Sequence, residues 1–125
     1  QTCALPIFYE ARKLGLSPAA MTMLQRHTVD VGDRRVFAGV HYPSDNMSSW
    51  IMSLLLQPKV CTDTDAHVWL WEAITTKSAV FAAIEAEIAR NPASPYVPSM
   101  RVLKKIGATP GMSVAEALAF ASAGS

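Results

Sequence analysis

Apolar residues recur at helical spacing along most of the chain. Met21, Leu24, Thr28 and Val31 follow one another at steps of three, four and three. Ser17-Pro18 precedes them, a side chain that can cap free N–H groups and a proline that fits the first turn. The pattern predicts one amphipathic helix from Pro18 to about Phe37, ended by Gly39 and Pro43. A second helix is expected from Ser44-Asp45 through Met47, Trp50, Ile51 and Leu54 to a break at Pro58. A third is expected from about Ala66 to Arg90, capped by Thr62-Asp63-Thr64-Asp65 and kinked near Thr75-Thr76, where β-branched residues and Ser78 weaken propensity. After a proline-containing linker from Asn91 to Pro98, short helices are expected at Ser99–Ile106 and Ser113–Ala121. No strand alternation persists. The expected class is all-α: a helical bundle with a C-terminal helical tail.

Composition sharpens this picture. Half of the 125 residues are hydrophobic and 17% are charged, a balance that supports one folded core. A formal net charge of +1 leaves no broad footprint for nucleic acid, so any anion must be held by a local site. No run reaches the roughly 18 apolar residues of a membrane-spanning helix.

The start of the chain carries a different signal. Gln1 to Ile7 is the translation of CAG ACG TGT GCT CTT CCG ATC, the end of a common short-read sequencing adapter. Residues 1–7 are therefore read as a scar outside the native fold, with a gene cut on its 5′ side. Cys61 is then the one native cysteine, which gives no disulfide framework.

The candidate chemistry lies in Arg34-Arg35-Val36-Phe37-Ala38-Gly39-Val40-His41-Tyr42-Pro43-Ser44-Asp45. Arg35 stands six residues before His41, and Asp45 four after it. Gly39 and Pro43 bracket the histidine in a corner between two helices, which can turn all three side chains into one pocket. A neutral imidazole can attack phosphorus when a carboxylate holds its other nitrogen. A guanidinium offers a planar fork that matches two phosphate oxygens.

This stretch resembles the third motif of the type 2 phosphatidic acid phosphatase (PAP2) superfamily, which includes bacterial acid phosphatases, lipid phosphatases and vanadium haloperoxidases. That motif runs Ser-Arg, five residues, His, three residues, Asp. Arg35, His41 and Asp45 fit it, and Ala38-Gly39-Val40-His41-Tyr42-Pro43-Ser44-Asp45 resembles its usual wording. The resemblance implies that His41 is the nucleophile that forms a phosphohistidine, or bonds vanadate in a haloperoxidase. It implies that Asp45 orients His41 and that Arg35 binds the oxyanion. The implied activity is phosphate-ester hydrolysis on a small phosphorylated substrate, without a metal, in a periplasmic or secreted parent. The alternatives are a haloperoxidase with vanadate as cofactor, and a helical domain without catalysis.

Two departures accompany the resemblance. Arg34 replaces the motif serine. The superfamily's first motif, Lys then six residues then Arg-Pro, and its second, Pro-Ser-Gly-His, do not occur in Phe8 to Arg34. The chain is therefore read as the C-terminal part of a PAP2-like helical domain over residues 8–91, with a linker and helical tail over 92–125, and as inactive by itself.

Other residues suggest bland roles. His27 and Asp30 fit a solvated helix face, and a metal would need two further ligands. His67, beside Asp63 and Asp65, reads as a solvated residue that helps cap the start of the third helix. Trp50, Trp69, Trp71, Met21 and Met23 read as packing residues.

Overall fold

The computed structural model describes residues 4–60 and 64–124. Among the described residues it contains seven α-helices and no strand. They are α1 (Ala4–Lys13), α2 (Pro18–Phe37), α3 (Pro43–Val60), α4 (Thr64–Lys77), α5 (Ala79–Arg90), α6 (Val97–Gly107) and α7 (Val114–Ala123). Among the described residues no helix is long and apolar enough to cross a membrane.

Helices α3 and α4 form the centre of the bundle. α4 packs on α1 and α2, and α3 packs on α6 and α4. Trp50 on α3 is fully enclosed, among Met47, Leu54, Leu70, Ile74, Val80, Leu103 and Ile106. The aromatic residues link the layers: Trp50 and Trp71 both contact Phe81, at ring-centroid distances of 6.2 and 6.0 Å. The segment after Asn91 joins the same core through Met100, Leu103 and Ile106.

Local chemistry explains most of the boundaries. Ser17 accepts a hydrogen bond from Ala20 N–H, and Pro18 occupies the first position of α2. Ser113 and Glu116 form a reciprocal capping box at the start of α7.

Several expectations need correction. The predicted Ala66–Arg90 helix is two helices. It breaks at Ser78, whose extended backbone and side chain cap α5 through Phe81 N–H. A tertiary contact, described below, completes that cap, so propensity alone placed the weak point two to three residues early. Pro58 does not end α3, which continues to Val60; the proline removes one N–H donor from the ladder near the helix end, and only two residues follow it. A helix also precedes Ser17. Its Phe8 is buried and lies 5.0 Å from Trp69, centroid to centroid. His67 is not at the surface: it is 1% exposed, and its Nε2 is 3.0 Å from the Gly107 carbonyl oxygen. It ties α4 to the end of α6. Met21 packs on the core, whereas Met23 is exposed. Cys3, Cys61, Thr62 and Asp63 lie outside the described residues.

Candidate functional site

The corner between α2 and α3 is built by a C-terminal motif followed directly by an N-terminal one. At the end of α2, Gly39 N–H donates to Val36 O at 3.0 Å and Val40 N–H to Arg35 O at 3.1 Å. This is the paired closure of a Schellman motif, and it requires a left-handed residue. Gly39 supplies it, with φ of 78°. The chain reverses there, and Arg35 is left on the final turn.

Pro43 then opens α3 at a position where a missing N–H costs nothing. Asp45, the third residue of the helix, reaches back: its Oδ2 accepts from Tyr42 N–H at 2.9 Å. The same oxygen lies 3.1 Å from His41 Nδ1. One carboxylate therefore caps the helix and holds the imidazole. An ionised Asp45 only accepts, so the contact calls for a proton on Nδ1; in a neutral imidazole of that tautomer Nε2 keeps its lone pair. The Tyr42 N–H first, and His41 second, hold the Asp45 carboxyl below the ordinary Asp range.

Arg35, His41 and Asp45 line one cleft of about 200 Å³, together with Val31, Gly32, Asn46 and Ser49. The cleft is open to water: the side chains of His41 and Asp45 are 34% and 49% exposed. Arg35 is exposed, and among the described residues no carboxylate pairs with it. A larger cleft of about 370 Å³, lined by Ile51, Pro98, Ser99, Arg101, Val102, Ala121 and Gly124, contains no imidazole or carboxylate side chain. Among the described residues no three His, Cys, Asp or Glu side chains converge as metal ligands. His27 is exposed on α2 and His67 is buried under α6, so neither lines this cleft.

The depressed Asp45 value sets a sign for acid titration. A carboxyl with a lowered folded pKa supports its contacts above the unfolded value and loses them as pH falls through the folded one. The His41–Asp45 contact should therefore persist down through the ordinary Asp range and break only in stronger acid. Carboxyl-carbon NMR is expected to give Asp45 a midpoint below that of an unstructured aspartate. A midpoint at or above it would show that the Tyr42 and His41 contacts are not held in solution.

Sequence reasoning missed two residues beside the cleft. Asp33, on α2, is 3% exposed. Its carboxylate accepts from Ser78 Oγ at 2.9 and 3.0 Å and from Ala79 N–H at 2.8 Å, at the start of α5. It also accepts from Asn46 Nδ2 at 3.2 Å. Burial pushes the Asp33 carboxyl above its ordinary range, and the Ser78 hydroxyl and the Val80 and Ala79 N–H groups pull partly back. Asn46 is 4% exposed and directly follows Asp45. The signal that could have exposed this pairing was Ser78, a strong cap residue directly before the apolar run that starts at Ala79. Its partner lies 45 residues away, beyond any local pattern.

No protein-family model, curated protein or solved structure matches the chain.

Proposed function

We propose that the α2–α3 corner is the oxyanion-binding half of a histidine phosphatase site. The observation that carries this reading is the His41 Nδ1–Asp45 contact of 3.1 Å, in a cleft that Arg35 also lines. In the neutral imidazole this contact would leave Nε2 as the nucleophile, and among the described residues no carboxylate competes for Arg35.

In the proposed reaction Nε2 of His41 attacks the phosphorus of a phosphate monoester. The N–P bond forms as the P–O bond to the leaving alcohol breaks. The alkoxide leaves with a proton from a general acid. Water then cleaves the N–P bond, releasing phosphate and restoring the imidazole. Asp45 stabilises the imidazolium character that develops in the first step, and Arg35 offsets charge on the equatorial oxygens.

The general acid is not in this cleft, where His41 is the only imidazole among the lining residues. In this proposal a second histidine and further phosphate ligands belong to an upstream part of the parent enzyme. That single imidazole favours a second reading for the chain taken alone, a helical domain that binds an oxyanion without turnover. Loss of one member of a cooperating catalytic set costs several orders of magnitude. The 125-residue chain should therefore hydrolyse p-nitrophenyl phosphate no faster than buffer. Clear turnover that His41→Ala abolishes would contradict the need for an upstream general acid. A haloperoxidase parent would use the same three residues toward vanadate. Assay of the full-length parent for bromide oxidation with vanadate and peroxide separates the two.

A further inference from the structure

The candidate nucleophile and the candidate anion ligand stand on different helices. Arg35 belongs to α2, while His41 and Asp45 belong to the turn and first residues of α3. The Schellman closure and the Asp45 cap shape the short connection between them. A buried side-chain contact between α2 and α3 adds a second constraint on their relative placement. Asp33 lies two residues before Arg35, and Asn46 directly follows Asp45. Both are buried, and they meet at 3.2 Å.

We propose that Asp33, acting through Asn46, is a positioning residue that sets the gap between Arg35 and the His41–Asp45 pair. The proposal rests on the reading of that cleft as an oxyanion site. Its geometry is a three-way junction. Asp33 Oδ1 accepts from Asn46 on α3 and from Ser78, while Oδ2 accepts from Ser78 and from Ala79 on α5. One carboxylate thus holds the start of α3 and the start of α5 against α2. Only the α3 arm leads to the cleft, because Asn46 lines it and Ser78 does not. The two arms can therefore be cut separately. Both losses weaken the fold, but they differ in what they do to the site.

The side chain of Asn46 suits the task. Its amide donates to Asp33, where an aliphatic residue would leave the Asp33 carboxylate with one donor fewer in a buried setting. An aspartate there would set two carboxylates against each other.

The test uses the full chain and orthovanadate, with each variant held at a temperature where it is fully folded. Dissociation constants come from backbone amide NMR, and the state of the imidazole from the nitrogen resonances of His41. Asn46→Leu keeps the branching at Cγ, adds bulk and removes the bond. It should weaken vanadate at least about tenfold, the scale expected when bound groups are displaced from their working geometry. It should also shift the His41 nitrogen resonances in the absence of vanadate. Ser78→Ala cuts the other arm and should bind within about twofold of the parent chain, with unchanged His41 resonances. Asn46→Ser, too short to reach Asp33 and without added bulk, should weaken vanadate by a similar factor and shift the same His41 resonances. Equal affinities in the Asn46 and Ser78 variants would overturn the positioning role. His41→Ala tests the underlying reading: if it binds vanadate as the parent chain does, the oxyanion site and the positioning role fall together.

Discussion

Asp33→Ala is expected to lower the unfolding free energy by about 3 kcal/mol, a large share of a typical domain's stability. The loss has a specific origin. Removing the carboxylate leaves the Ser78 hydroxyl, the Ala79 N–H and the Asn46 amide without their acceptor. It also removes a negative charge from the N-terminal end of α5, where the exposed N–H groups favour an anion. In a chain of this size the melting temperature should fall by roughly 10 °C. Calorimetry or urea denaturation measures it, and a change under about 0.5 kcal/mol, the range of an ordinary surface substitution, would contradict the junction.

The pH dependence of the same residue follows from its raised value. The folded protein binds the Asp33 proton more tightly than the unfolded chain does. The associated stabilisation is present below the unfolded pKa and fades as pH rises through the folded one. Asp45 has the opposite sign. Asp33→Asn should remove the first component from the stability–pH profile and leave the second. Buried pairing and burial cost thus act against each other at one group, and the hydrogen bonds decide that the donors around Asp33 stay satisfied.

Arg35→Ala is expected to weaken orthovanadate or phosphate binding roughly 30-fold, corresponding to about 2 kcal/mol for a charge-assisted contact. Stability should change by less than about 0.5 kcal/mol, because the residue is exposed and has no carboxylate partner among the described residues. Arg35→Lys should recover only part of the affinity, since it keeps the charge and loses the planar fork. Isothermal titration at fixed ionic strength reads both effects. Arg34→Ala serves as the control: it removes an adjacent positive charge from a residue that does not line the cleft. If Arg34→Ala and Arg35→Ala weaken binding equally, the effect is general electrostatics and not a site.

The contrast between these residues shows what the chain discloses locally. Helix α2 was legible to both ends because Ser17, Pro18 and Gly39 act on neighbours within a few residues. The Arg35, His41 and Asp45 spacing was legible for the same reason: a Schellman closure and a capping carboxylate are short-range devices. Asp33, Asn46 and His67 were not. Each meets a partner that only the tertiary fold supplies, Ser78 for Asp33 and Gly107 for His67. Polar residues that look solvated in a helical pattern are buried here because a distant backbone or side chain answers them. The split of α4 from α5 follows the same rule. Ser78 can cap a helix in principle, but the cap is completed by a carboxylate from α2.

The most direct test of the oxyanion site is a titration of the folded chain with orthovanadate, followed through the imidazole nitrogens of its three histidines. A saturable shift is expected at His41 Nε2, with Nδ1 still bound to Asp45 and with His27 and His67 unchanged. A His41 that stays unperturbed at saturating vanadate, or that moves no more than His27, would contradict it.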